Sequence, residues 1–365
     1  MAKPKEIPGL DCGAGAFEGA RRVLLARFDE MSEYRAAALE GADIEGVHDM
    51  RVASRRLRSA LRDFAPRLRR GKRLDAARDA LRRLADALGA VRDEDVAIHA
   101  LDKLREDAPP EAVAGIEAYT AERRERRERA RAGLGEAAGE TAVAEARLLL
   151  ARALEGRGGK KKSDDGADFA GALRRVVARL WDELEELSGS LHRPRKARRL
   201  HRMRIAAKRL RYALELFECC RRDGAAKALA GEVADMQGEL GDLHDCDVWA
   251  EDLGGQLAGR DKLSAERKLA VVWLLGHFAE KRAVHYRAAL TLWHEWEREG
   301  FAARLAACLE PEAATPEAAT PSGVRAELPT GENGSANDGG PPVGAREDVT
   351  GGAEEGAGRE LTERA

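Results

Sequence analysis

A seventeen-residue segment occurs twice in this chain, as HDMRVASRRLRSALRDF from His48 to Phe64 and as HRMRIAAKRLRYALELF from His201 to Phe217. Laid on a helix at ~100° per residue, the first copy places His48, Arg51, Arg55, Arg58 and Arg62 within an arc of about 80°. Met50, Ala53, Leu57, Ala60, Leu61 and Phe64 fill a separate arc of about 100°. The second copy repeats the division, with His201, Arg204, Lys208 and Arg211 on one stripe and Met203, Ala206, Leu210, Ala213, Leu214 and Phe217 on the other. Each copy is therefore predicted to be a helix with one face in a core and the other carrying a row of cations.

A charged stripe is ordinarily a solvated face on which anions alternate with cations, each such pair contributing about 0.2–0.5 kcal/mol and each like pair costing a similar amount. Here Arg51 is followed by Arg55, Arg58 and Arg62, and Arg204 by Lys208 and Arg211. Repulsion at the same places in both copies predicts an external polyanion.

The formal net charge of −2 conceals this concentration. From Leu309 to Ala365 there are 12 acidic and 4 basic residues, whereas Val47 to Arg73 carries 10 Lys/Arg against 2 Asp/Glu and His192 to Tyr212 carries 10 against none. Such local fields attract polyanions whatever the overall balance. With 35% charged residues, 4% aromatic residues and a predominance of Ala, Arg, Glu and Leu, the composition points to an all-α fold.

A second element also recurs. Leu88 to Val96 (LGAVRDEDV) matches Leu240 to Val248 (LGDLHDCDV) at an offset of 152, against 153 for the basic helices, so an internal duplication is read. In chain order the sequence divides into an irregular N-terminus (1–16), a first helical repeat (17–138), a linker (139–168), a second helical repeat (169–308) and a disordered acidic tail (309–365). Phe17 to Leu39 is helical; the first basic helix spans about Glu45 to Ala65 and stops at Pro66. A third helix, about Lys72 to Leu88, ends at Gly89, after which Asp93 caps another through Leu104. A long charged helix then extends to about Arg131, and the linker holds a short helix, Thr141 to Leu154. The second half replays the order with Phe169 to Leu187, Arg195 to Cys220, Ala225 to Leu240 ending at Gly241, and Ser264 to Arg298. The tail, from Pro311 onward, is expected either to solubilise the protein or to compete with the ligand for the cations.

The five cysteines form no CxxC pair and are odd in number, and read as reduced, cytosolic thiols. The opening MAKPKEIPGLDCG lacks the apolar core of a signal peptide, and the longest apolar run is too short to span a bilayer, so no membrane partner is expected. His48-Asp49 and His244-Asp245-Cys246-Asp247 admit a metal-dependent phosphohydrolase as an alternative. Against it, Arg92 stands at the place of His244 and Arg202 at the place of Asp49, so neither pair recurs in the other half. No metal, cofactor or catalytic residue is therefore expected. A nucleic-acid binder is the third reading, disfavoured because Tyr212 is almost the only aromatic residue near the stripes. Arginine forks on phosphate oxygens, with lysine as a point charge, suit a ligand made of phosphates without bases.

The HxxRxxxRRLRxxL pattern at His48 to Leu61, HxxRxxxKRLRxxL at His201 to Leu214 and the paired LG…D…DV segments resemble the CHAD domain family, over roughly Phe17 to Cys308. The resemblance implies two helical bundles related by a pseudo-two-fold axis, with the basic helices lining a central groove that binds inorganic polyphosphate, and for some members a place on cytoplasmic polyphosphate granules. The implied contacts are His48, Arg51, Arg55, Arg58 and Arg62 with His201, Arg204, Lys208 and Arg211. Arg56 and Arg209 lie at the flank of the stripe, and Arg124 and Arg282 add charge from the later helices. Glu215 and His244 depart from the pattern, standing at the places of Arg62 and Arg92. The ExExK motif of an attached triphosphatase domain is absent, so the chain is expected to be a stand-alone, non-enzymatic, cytoplasmic module. Homodimerisation stays open.

Overall fold

The structure is a computed structural model that describes residues 4–41, 43–68, 71–155, 168–259 and 263–311. Among these the regular structure is helical, apart from a single bridge between Gly15 and Asp168. The expected first helix is two, α1 (Ala16–Glu33) and α2 (Arg35–Glu40), and Gly41 closes α2 in the left-handed conformation at φ 67°. The basic helix α3 (Glu45–Asp63) gives way to a 3-10 turn that contains Pro66. There follow α4 (Lys72–Glu106), α5 (Pro110–Ala137) and α6 (Glu140–Ala153). The remaining helices are α7 (Phe169–Ser188), the basic helix α8 (Ala197–Arg221), α9 (Ala225–Ala258), α10 (Ala265–Arg298) and α11 (Phe301–Leu309).

Three cores hold these helices. Val47, Met50, Ala53, Leu57 and Leu61 of α3 pack with α1, α4 and α6 in the first. Met203, Ala206, Leu210, Leu214 and Phe217 of α8 pack with α7, α9 and α10 in the second. Phe64, just past α3, enters that second core with its ring 5.5 Å from Phe169. The distal halves of α4, α5, α9 and α10 meet in the third, around Leu101, Ile116, Tyr119, Leu253 and Leu274.

Two expected turns are absent. Both α4 and α9 run uninterrupted through Gly89 and Gly241, and Asp93 caps nothing. The reason is continuity of burial: Leu84, Leu88 and Val91 lie in the first core, and Ala97, Leu101 and Leu104 of the same helix lie in the third. A glycine inside a helix costs about 1 kcal/mol, less than the roughly 1.5–3 kcal/mol gained for each large apolar side chain removed from water.

The expected linker is also partly structure. Val143, Ala146, Leu150 and Ala153 of α6 belong to the first core, while the Gly/Lys run at 156–167 lies outside the described residues. The N-terminal segment is irregular but anchored. Ile7 is buried, and the backbone amides of Phe169 and Ala170 donate to the carbonyls of Ala14 (2.8 Å) and Cys12 (3.0 Å). The expected disorder of the tail falls, from 312 onward, outside the described residues.

The reading of five reduced thiols is corrected: Cys12 and Cys220 form a disulfide, leaving Cys219, Cys246 and Cys308 free. The partners are 208 residues apart, so their pairing is a product of the fold, which lays the N-terminal segment against the end of α8. Support for a reducing compartment from cysteine usage is thereby removed. Because the disulfide closes so long a loop, Cys12→Ser is expected to lower unfolding free energy by about 2 kcal/mol. Chemical denaturation with and without reductant measures this, and identical midpoints in the unaltered protein would contradict it. No helix among the described residues is long and apolar enough to cross a membrane.

Candidate functional site

The N-terminal halves of α3 and α8 come to one cavity of about 400 Å³, whose wall includes His48, Arg51, Arg55, Arg92, Arg123 and Arg204. The amphipathic division of the two helices explains the placement. Each apolar stripe is taken into its own core, which leaves His48, Arg51 and Arg55 of one cationic stripe and Arg204 of the other to face the space between them. The rest of the wall is mixed, with Asp93, Asp245 and Asp252 beside Val52, Val96, Ala97, Val248 and Trp249.

Some of the cations are held by partners. Arg51 donates from Nη1 to the Gly89 carbonyl (3.0 Å) and to Asp93 Oδ1 (2.6 Å), which fixes the guanidinium at the wall without closing its other donors. Arg123 donates to Glu94 (3.2 Å) and Asp252 (2.9 Å) and lies 5.5 Å from the Trp249 ring centroid. Others have none. Arg55 and Lys208 make no ion pair among the described residues, and buried nitrogens of Arg92 (Nη1) and Arg204 (Nε) lack hydrogen-bond partners.

The field in this region follows. Burial, reinforced by Arg55, Arg204, Arg51 and Arg211, drives Lys208 down to about 7. Burial and Arg51 drive Arg55 down to about 10. Arg204 is lowered too, by burial above all, with Asp245 opposing the shift and Arg51 adding to it. Burial raises Asp245 despite Arg204 beside it. His201 and His244 face each other with Nδ1 atoms 3.2 Å apart, one donating and the other accepting, which requires the accepting ring to be neutral. Burial and then Arg204 lower His244 to about 4, and burial lowers His201 and His48. The site is thus a positive field with a shortage of internal counter-charge.

Residues 22–254 match the CHAD domain. The chain belongs to the CHAD domain family. It is similar to a crystal structure of the CHAD domain from the plant Ricinus communis, at a TM-score of 0.62 and 26% identity, covering 78% of this chain and 95% of that one. PptA from Streptomyces chartreusis shares the fold at a TM-score of 0.58 and 15% identity, over 77% and 100% of the two chains. No curated protein matches the sequence.

Within this CHAD domain the stripe residues separate into groups. His48, Arg51, Arg55 and Arg204 line the cavity, and His201 and Lys208 stand beside it through His244 and the neighbouring arginines. Arg58 is half-buried in the field of Asp86 and Arg82 on α4, with exposed Arg62 next to it. The flank positions point elsewhere. Arg56 is buried 3.5 Å from Glu215 and 3.8 Å from Glu30, and Arg209 donates to Asp63 (2.6 Å) and Glu183 (2.8 Å). Arg211 is buried against Glu215 (2.8 Å) and Gln237 (2.8 Å). Arg124 pairs with Asp102 (3.1 Å), and Arg282 with Asp247 (2.6 Å) and the Pro194 carbonyl (2.8 Å). These five are structural ion pairs and do not line the cavity.

Sequence reasoning missed Arg92 and Arg123. Arg92 was visible only as the counterpart of His244, and the repeated LG…D segment carried the signal once it is read as mid-helix. The metal-ligand pairs of the alternative reading separate: His244 lies against His201 with the rings tilted and their centroids 4.1 Å apart, while His48 and Asp49 lie with Glu45, their ligand atoms within 4.8 Å of one another.

Proposed function

We propose that this CHAD domain binds inorganic polyphosphate in the cavity between α3 and α8 and does not act on it chemically. The observation that carries the reading is Lys208, a lysine set among Arg51, Arg55, Arg204 and Arg211 and without an ion pair among the described residues. Like charges held together in a partly buried space oppose folding, so their presence is explained by a ligand that supplies the opposing charge. A phosphate chain does this with forked contacts to the arginines and a point contact to the lysine. A role as a scaffold on cytoplasmic polyphosphate granules is part of the same reading.

Titration of the purified protein with long-chain polyphosphate against salt, with RNA as competitor, tests it. Binding that weakens steeply with salt and that RNA does not displace is expected. Equal displacement by RNA reduces the site to a general polyanion surface, and no binding assigns the cations to the fold. A second reading, metal-dependent phosphohydrolysis, rests on the Glu45, His48 and Asp49 cluster. Phosphate release that requires a divalent cation and ceases with chelator would establish it in place of simple binding.

A further inference from the structure

The two basic helices begin differently. Before and within the first turns of α8, Arg193, Arg195, Lys196, Arg198, Arg199 and Arg202 are all exposed, and none makes an ion pair among the described residues. The segment that carries them is fixed from below. Arg282, itself held by Asp247, donates to the Pro194 carbonyl, and the Tyr286 hydroxyl donates to the Leu191 carbonyl. It forms an apron of cations next to His201, which adjoins the cavity through His244.

At the same offset of 153, the start of α3 carries the opposite sign. Glu40 stands where Arg193 does, Asp43 where Lys196 does, Glu45 where Arg198 does and Asp49 where Arg202 does. Glu40, Asp43 and Glu45 are exposed and Asp49 half-buried, and Asp43 accepts from the amides of Glu45 (2.8 Å) and Gly46 (3.2 Å). The cations near this rim are engaged, Arg131 with the Leu39 carbonyl (3.0 Å), Arg127 with Asp95 (2.5 Å) and Arg124 with Asp102 (3.1 Å). His48, which lines the cavity, has Glu45 and Asp49 beside it, their ligand atoms within 4.8 Å of one another. A polyanion passing through the cavity would be drawn out over one rim and repelled at the other.

We propose that the cavity holds a polyphosphate chain by one end, the chain leaving over the cationic apron at the start of α8 and stopping at the acidic rim at the start of α3. This rests on the polyphosphate reading of the site. It makes the protein a reader of chain ends, with a core contact that is independent of length and an outer contact that only longer chains reach.

The test uses the unaltered full chain, in chelator so that no divalent ion bridges the acidic rim, with polyphosphates of defined lengths. A linear chain has two equivalent ends, so sedimentation is expected to show binding that saturates at two proteins per chain however long the chain becomes. A number of bound proteins that rises in proportion to length overturns the proposal. A variant with Arg195→Gln, Lys196→Gln, Arg198→Gln and Arg199→Gln gives an independent measure. Its affinity for long chains is expected to fall about tenfold, with a salt slope flatter by roughly 0.7 per cation lost, while chains short enough to sit inside the cavity bind within about twofold of the unaltered protein. Equal loss for both lengths, or no loss for either, also overturns it. Failure of the unaltered protein to bind any length refutes the polyphosphate reading itself, which is a different result from proportional binding.

Discussion

Replacing Arg55 and Lys208 together by glutamate is expected to lower affinity for long-chain polyphosphate on the order of a thousandfold near 0.1 M salt. It is expected at the same time to raise the stability of the free protein. Both effects come from one cause. Neither residue has an ion-pair partner among the described residues; burial and then Arg51 oppose the charge on Arg55, and burial and then Arg55 oppose that on Lys208. A glutamate at position 55 would sit beside Arg51 and Arg204, and one at 208 among Arg51, Arg204 and Arg211, exchanging repulsion for attraction worth on the order of 1–3 kcal/mol. A rise in melting temperature alongside lost binding is the signature of a site maintained against the interest of the fold. Lost binding with a lowered melting temperature would instead assign Arg55 and Lys208 to structure, and unchanged binding would remove them from the site.

The second large effect is on pH. Lys208 titrates near 7 in the free protein, well below the ordinary 10.5 of a lysine, chiefly because it is buried. Above pH 7 the free protein has largely lost that charge, and a bound phosphate chain restores it. Binding therefore takes up a proton, and affinity is expected to be greatest below pH 7 and to fall as pH rises through it. Two units above, at pH 9, the fall reaches up to about a hundredfold. Calorimetry in two buffers of different ionisation enthalpy measures the uptake directly. Lys208→Arg, which stays charged throughout, is expected to flatten the profile between pH 7 and 9; persistence of the full slope would place the titrating group elsewhere. The same displacement acts on folding with the opposite sign. The unfolded chain binds the proton more tightly, so this group's contribution to stability improves as pH rises from about 7 toward 10.5, in the window where binding weakens.

The apolar stripes were legible because helix periodicity is local: Met50, Leu57 and Leu61, and Met203, Leu210 and Leu214, are buried as their spacing requires. The cavity cations Arg51, Arg55 and Arg204 were legible for the same reason. What the sequence could not separate were cations a single helical step apart. Arg55 and Arg56 differ by ~100° of rotation, yet one faces the cavity and the other lies between Glu30 and Glu215, a distinction made by carboxylates contributed from α1 and α8. The LG segments were misread as turns because glycine and aspartate are also turn formers, and only the third core, assembled from four distant helices, keeps α4 and α9 straight there. Cys12 and Cys220 belong to the same class of long-range fact.

The continuity of α4 and α9 bears on what kind of receptor this is. Each is a single girder more than thirty residues long, rooted at one end beneath a basic helix and at the other in the joint shared by both halves. A hinge at Gly89 or Gly241 would let the crowded cations drift apart and discharge their mutual repulsion into a relaxed, open shape. Unbroken girders deny them that escape. The repulsion stays in place, and on the polyphosphate reading a bound chain would relieve it without any movement of the frame.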